Sequence, residues 1–200
     1  MRVLGIDPGL TRCGIGMVRS IGARNVEFEH VEVLTSSADD PLQQRVHHIG
    51  RGVARLLNSA DPPAAIAIER VFAQRNLPSV MGVAQISGAV LYLAAERDIP
   101  VTFYTPNEVK MQVTGYGAAD KSQVTKMVTR LLGLQGPPKP ADAADALALA
   151  LTHAWQLSRG AATQADAPAT SHAPGAETPA QRAWKEAERK SGARRGPQRR

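Results

Sequence analysis

The sequence predicts an α/β domain built on a mixed sheet with helices on both faces, and three observations carry that prediction. Short apolar runs of strand length alternate with longer segments of helical spacing. The first three runs follow one another closely enough to form a meander. The later two are separated by helices, as strands joined by crossovers are.

The elements follow in order. Val3–Asp7 is an apolar run closed by Asp-Pro-Gly, a turn signal. Gly14–Arg19 is a second run. Val26–Leu34 alternates through Val26, Phe28, Val31 and Val33, with a slip near His30 that reads as a bulge. Leu42–Leu57 has helical spacing through Leu42, Val46, Ile49, Val53 and Leu56, with Asp39 or Asp40 as its expected cap and Pro41 in its first turn. Ala64–Glu69 is an apolar strand after an Asp-Pro-Pro break. Val80–Ala95 is a helix without a wide polar face, so it is covered on two sides, either within its own subunit or by a second copy. Val101–Tyr104 is a short strand. Pro106–Val113 and Ser122–Leu132 are helices on either side of a Gly-Tyr-Gly turn, and Ala141–Leu157 is the last helix.

Composition bounds the rest. The chain has 200 residues and 43% apolar content, enough for a core without disulfides. Its single cysteine, Cys13, lies in the apolar stretch CGIGMV and reads as a small core residue of a protein from a reducing compartment. No signal-peptide pattern opens the sequence, and no apolar run reaches the ~18 residues that span a bilayer. A cytoplasmic protein without a membrane partner is expected.

The net charge of +6 is unevenly spread. Residues 160–200 carry eight Lys or Arg against four Asp or Glu, and are rich in Ala, Pro, Thr and Gly. The expected organisation is therefore a folded domain over 1–159 and a disordered basic tail over 160–200. The tail is either a solvated appendage or a weak grip on phosphates.

Four acids are poorly placed for purely structural work. Asp7 and Glu69 each end an apolar strand, while Asp142 and Asp145 open a helix of Ala and Leu, ADAADALALAL. Each has an ordinary alternative taken singly: Asp7 as a turn opening, Glu69 as emergence into solvent, Asp142 as a helix cap. Asp145 is harder to explain. It shares a helix face with Asp142, and no neighbouring residue of that helix offers a cation. Ligands gather at strand ends and adjoining helix starts in open α/β sheets. Should the two acid-bearing strands be parallel neighbours, four carboxylates can hold a pair of divalent cations ~3.5–4 Å apart, the arrangement for in-line attack on a phosphodiester.

At these residues the sequence resembles the RuvC family of Holliday junction resolvases. The segments GIDPGLTRCGIG, AIERVF, GYGAADKSQVTKMV and ADAADALALALTHA carry the resemblance, in an order and spacing that is specific although no single piece is. The resemblance covers Met1 to about Trp155. It implies a ribonuclease H-like fold with a five-stranded mixed sheet, and a homodimer with one active site per subunit. It implies Asp7, Glu69, Asp142 and Asp145 as catalytic and metal-binding acids. Two Mg²⁺ per subunit are implied, with Mn²⁺ able to take their place. Lys110 and Lys121 match basic residues that support cleavage, and Phe72 matches an aromatic that contacts unstacked DNA. Arg75 and Asn76 lie in a less clearly matched loop as possible base contacts. The implied activity is paired symmetric nicking of four-way DNA junctions in recombination and repair, leaving 5′-phosphate and 3′-hydroxyl ends. The implied partners are junction DNA and a branch-migration motor complex.

Three rivals stand beside that reading. GIDPGLTRCGIG also resembles the first phosphate hairpin of actin-like ATPases, but that group needs a second such domain and hairpin. A ribosomal-RNA-processing nuclease shares the same fold. A non-catalytic junction-binding protein would not need the intact acid set.

Overall fold

The computed structural model describes residues 1–22, 24–70 and 77–165, with side chains described up to 159 and not at 77–78. Phe72, Arg75, Asn76 and the expected tail beyond Ala165 lie outside the described residues. The element order is β1 (Arg2–Asp7), β2 (Arg12–Gly22), β3 (Asn25–Thr35), α1 (Leu42–Leu57), β4 (Ala65–Glu69), α2 (Leu77–Ala95), β5 (Val101–Tyr104), α3 (Pro106–Thr114), α4 (Lys121–Leu131) and α5 (Ala141–Ala165). The five strands form one sheet in the order β3-β2-β1-β4-β5. The meander β1–β2–β3 is antiparallel, whereas β4 and β5 run parallel to β1. This is the mixed sheet that the sequence predicts.

Period-two alternation sorts each strand between two cores. Leu4, Ile6, Cys13, Ile15, Met17, Ile66 and Ile68 point to one face and pack with Ile49 and Val53 of α1 and Ile86 and Val90 of α2. Val3, Val18 and Ala67 point to the other, against Val109 of α3, Val124 and Val128 of α4, and Leu147 and Leu151 of α5. Cys13 is fully buried, and burial pushes its thiol up to about 12.

Alternation also dictates where α5 can sit. Gly5, Gly14 and Gly16 share the face of Val3 and Val18. A Cβ on Gly5 would lie 2.1 Å from the Ala146 carbonyl oxygen, and one on Gly14 would lie 2.1 Å from that of Asp142. Glycine on the strands and alanine on the helix thus let α5 rest directly on the sheet.

The bulge expected near His30 is present. The β2–β3 register shifts between Met17 and Val18, which pair with His30 and Phe28, so Glu29 is the extra residue. Its carboxylate pairs with Arg2 and Arg19, each at 2.5 Å.

Two readings need correction. Neither Asp39 nor Asp40 caps α1: Pro41 holds the N-cap position, and no side chain hydrogen-bonds there. The backbone N–H of Asp39 is instead bound to Ser37 Oγ in the preceding turn. The last helix continues past Leu157 to Ala165, because Ala161 and Ala162 favour helix as strongly as the residues before them. Of the two ways of covering α2, burial within its own subunit is not what is seen. Ile86, Val90 and Ala94 are fully buried, but Met81, Leu91 and Tyr92 are exposed. Among the described residues no helix is long and apolar enough to cross a membrane.

Candidate active site

Strand parity and register bring the acids together. Asp7 is two residues beyond Gly5, so it faces α5, and Glu69 follows Ala67 onto the same face. β1 and β4 are parallel neighbours with Ile6 opposite Ile68, so the strand ends bearing Asp7 and Glu69 lie side by side. On the other side of β1, Asp7 pairs with Gly14, against which the first turn of α5 rests. That turn carries Asp142, and Asp145 follows three residues later on the same helix face. The condition set by the sequence, that the two strands be parallel neighbours, is met.

Electrostatics register the convergence. Burial is the main cause that raises Asp7 from 3.8 to about 7, and the charges of Glu69, Asp145 and Asp142 add to it. Glu69 is raised as well, by burial first and then by Asp145, so it does not emerge into solvent as its strand-end position also allowed. The charges of all three other acids bear on Asp7, in keeping with the register that brings their elements to one end of the sheet.

Two cations pair with these acids. Lys121 Nζ donates to Asp145 Oδ2 at 3.0 Å, and that hydrogen bond raises the lysine pKa. Its position is fixed by the start of α4, where Asp120 accepts from Gln123 N and the Gln123 side chain accepts from Asp120 N. Such a capping box contributes about 1 kcal/mol. Arg12 Nε lies 3.0 Å from Asp142 Oδ2. The residues of α5 neighbouring Asp142 and Asp145 offer no cation, but β2 and α4 supply one to each.

A cleft of about 220 Å³ opens beside the acids, lined by Glu69, Pro106, Val109, Lys110, Lys121, Val124, Asp145 and Leu149. Lys110 is carried there by α3, whose own capping box joins Thr105 and Glu108. Lys126 and Arg130 are exposed on α4, the solvated helix face that their spacing suggests. A larger groove of about 750 Å³ runs along α1 past His47, His48, Arg51 and Arg55. It shares no residue with the acid site, so chemistry is assigned to the smaller one.

The donor set suits a hard divalent cation: four carboxylates and no soft ligand. It is not preassembled. Among the described residues no three Asp, Glu, His or Cys side chains are gathered closely enough to hold a metal ion. Asp142 and Asp145 are engaged with Arg12 and Lys121, and would have to turn toward Asp7 and Glu69. Repulsion among the four acids is what a cation would relieve.

Of the residues singled out in the sequence, Asp7, Glu69, Asp142, Asp145, Lys110 and Lys121 come together. Arg12 was missed. Its signal was parity, since it stands two residues before Gly14 on the face that meets α5.

The family profile described as crossover junction endodeoxyribonuclease RuvC matches residues 3–153. The chain is 55% identical over 195 residues to a crossover junction endodeoxyribonuclease RuvC of Leifsonia xyli subsp. xyli, covering 94% of this chain and 92% of the relative. It is 54% identical over 170 residues to that of Nocardia farcinica, covering 84% and 89%. The structure of T. thermophilus RuvC in complex with a Holliday junction substrate is similar, with TM-score 0.75 and 41% identity over 80% of this chain and 96% of that one. The yeast mitochondrial Holliday junction resolvase Ydc2, at 18% identity and TM-score 0.56, shares the fold. These matches favour neither the RNA-processing nuclease nor the ATPase. By profile, sequence and fold alike, the chain belongs to the RuvC family of crossover junction endodeoxyribonucleases.

Proposed function

We propose that this endonuclease cuts four-way DNA junctions with Asp7, Glu69, Asp142 and Asp145 as its catalytic, cation-binding acids, assisted by Lys121 and Lys110. The observation that carries the reading is the placement of Asp7 and Glu69 on the ends of neighbouring parallel strands facing the start of α5, where burial and the charges of the other three acids raise Asp7 to about 7. Such a cluster is costly to fold and is explained by a bound divalent ion.

Each residue then has a task. Asp7 and Glu69 stand on neighbouring strand ends and form the rigid half of the site. Asp142 and Asp145 come from the first two turns of α5 and close over it. Lys121 holds Asp145 and, with Lys110 on the far wall of the cleft, offers positive charge to a phosphate. Two Mg²⁺, when bound, would supply an activated water and stabilise the leaving 3′-oxygen. The expected products are a 5′-phosphate and a 3′-hydroxyl. Phe72, Arg75 and Asn76 follow Glu69 closely in sequence, and contacts from them to unpaired bases belong to the same proposal.

A second copy completes the reading. The exposed apolar residues Met81, Leu91 and Tyr92 on α2 offer a surface for a two-fold partner. A four-way junction is itself nearly two-fold, so two sites would nick opposite strands. A buried lone thiol suits action in the reducing cytoplasm. A branch-migration motor as partner has only the family resemblance behind it.

The test is to incubate the protein with a synthetic four-way junction, with and without Mg²⁺, and map the nicks. Paired nicks on opposing strands with ligatable ends, appearing only with Mg²⁺, are expected. Equal cutting of linear duplex, or cutting in a chelator, would refute the reading.

A further inference from the structure

We propose that Arg12 is a built-in counter-ion of Asp142, which competes with the divalent cation for that carboxylate and passes to a DNA phosphate when the cation binds. The inference rests on the reading of Asp142 as a cation ligand.

The sheet places Arg12 for this role. It opens β2 and shares the face of Gly14 and Gly16, the one on which α5 rests. Asp7 is paired with Gly14, so Arg12 projects just beyond Asp7 at the open end of the site. Its backbone is held by the paired strand, with Thr35 opposite. The hairpin before it is fastened to the start of α1. Ser36 N donates to Thr11 O at 3.1 Å, and Ser36 Oγ donates to Leu10 O at 2.5 Å. Arg45 Nη2 donates to Thr11 Oγ1 at 2.9 Å, and Arg45 Nε donates to Ser36 Oγ at 3.0 Å. These bonds tie down the backbone before Arg12, while its side chain reaches into solvent.

That side chain is positioned to leave. It is 61% exposed while Asp142 is 23% exposed, so the ion pair straddles the water boundary. A pair so exposed holds weakly, and a dication presents twice the charge to the same carboxylate. The released guanidinium remains at the rim of the cleft, where its planar fork suits phosphate oxygens. Lys121 differs: it hydrogen-bonds Asp145 and also bears on Asp7 and Glu69, whereas Arg12 is directed to one acid.

Exchange of this kind links two ligands. A phosphate that draws Arg12 away frees Asp142 for the cation, and a cation on Asp142 frees Arg12 for phosphate. Each must raise the affinity for the other by the same factor.

The test uses the full chain as wild type, Arg12→Gln, Arg12→Lys and Asp142→Asn. Mn²⁺ binding is measured by calorimetry without DNA. Arg12→Gln is expected to bind Mn²⁺ roughly 3-fold or more tightly than wild type, and Arg12→Lys to stay near wild type because it keeps the charge. Junction binding is then measured in chelator and in Ca²⁺. The gain on adding Ca²⁺ should be smaller for Arg12→Gln than for wild type, a difference that loss of packing alone does not produce. Unchanged or weaker Mn²⁺ binding in Arg12→Gln overturns the role of Arg12, provided that Asp142→Asn loses Mn²⁺. Wild-type Mn²⁺ binding in Asp142→Asn overturns the ligand reading beneath it instead.

Discussion

Asp7 and Glu69 reach the site from rigid strands, Asp142 and Asp145 from the first two turns of a helix, and the two pairs differ in what neutralises them. The strand acids are pushed upward by burial and by neighbouring negative charge. The helix acids each have a cation at 3.0 Å. The sheet therefore supplies fixed, charge-stressed donors, and the helix supplies donors held by exchangeable partners. A site divided in this way can stay folded without a cation and still bind one strongly.

The largest effect should come from the strand side. Asp7→Asn is expected to lower nicking by roughly 10³-fold or more, as loss of one member of a catalytic unit does, while junction binding persists. Single-turnover cleavage beside a gel-shift titration checks both halves. Near-normal cutting would remove Asp7 from the set.

Lys121→Ala tests the helix side. It removes the partner of Asp145 and one of the two lysines that line the cleft. A loss of about 10–100-fold in cutting is expected, as for other residues that orient a ligand. A mutant that cuts like wild type would make Lys121 a surface lysine.

The strand side should also be visible in stability. The folded pKa of Asp7 is raised, so between 3.8 and about 7 the native state holds more protons than the unfolded one. Stability from this group must then fall as pH rises through that window. Asp7→Asn should raise apo stability at pH 8 on the order of 2 kcal/mol, less than the full shift implies because the carboxylate still meets water. It should change little near pH 4. Urea unfolding at both values measures it, and a pH-independent difference would contradict the assigned cause.

The smallest change probes the contact that joins the two halves. Gly14→Ala would drive a methyl group to 2.1 Å from the Asp142 carbonyl oxygen, so α5 must shift. A loss of about 1–3 kcal/mol in stability is expected, with cutting reduced as Asp142 and Asp145 move away from the strands. Unaltered stability would mean that α5 is not seated on that glycine.

Much of this was legible in the sequence. Periodicity located all five strands and five helices, and placed Asp7 and Glu69 at strand ends. The convergence with α5 was an assumption, because periodicity says nothing about which helix lies on which face. The clue lay in Gly5, Gly14 and Gly16 at even spacing, facing a helix rich in alanine. The cap of α1 was misread because Asp39 and Asp40 could both reach the helix start in sequence terms. Only the backbone of the turn decides that neither does. Arg12 escaped notice because an arginine in a hairpin has no signature until the helix above it is known.

The central claim is that donors from strands and from a helix serve one ion-binding site. Titrating Mn²⁺ against wild type, Asp7→Asn and Asp145→Asn, with free ion followed by electron paramagnetic resonance, examines it directly. The account predicts that either substitution alone strips bound Mn²⁺ from the protein. Full retention in one of the two variants would contradict it, since the two halves would then be separate sites or none.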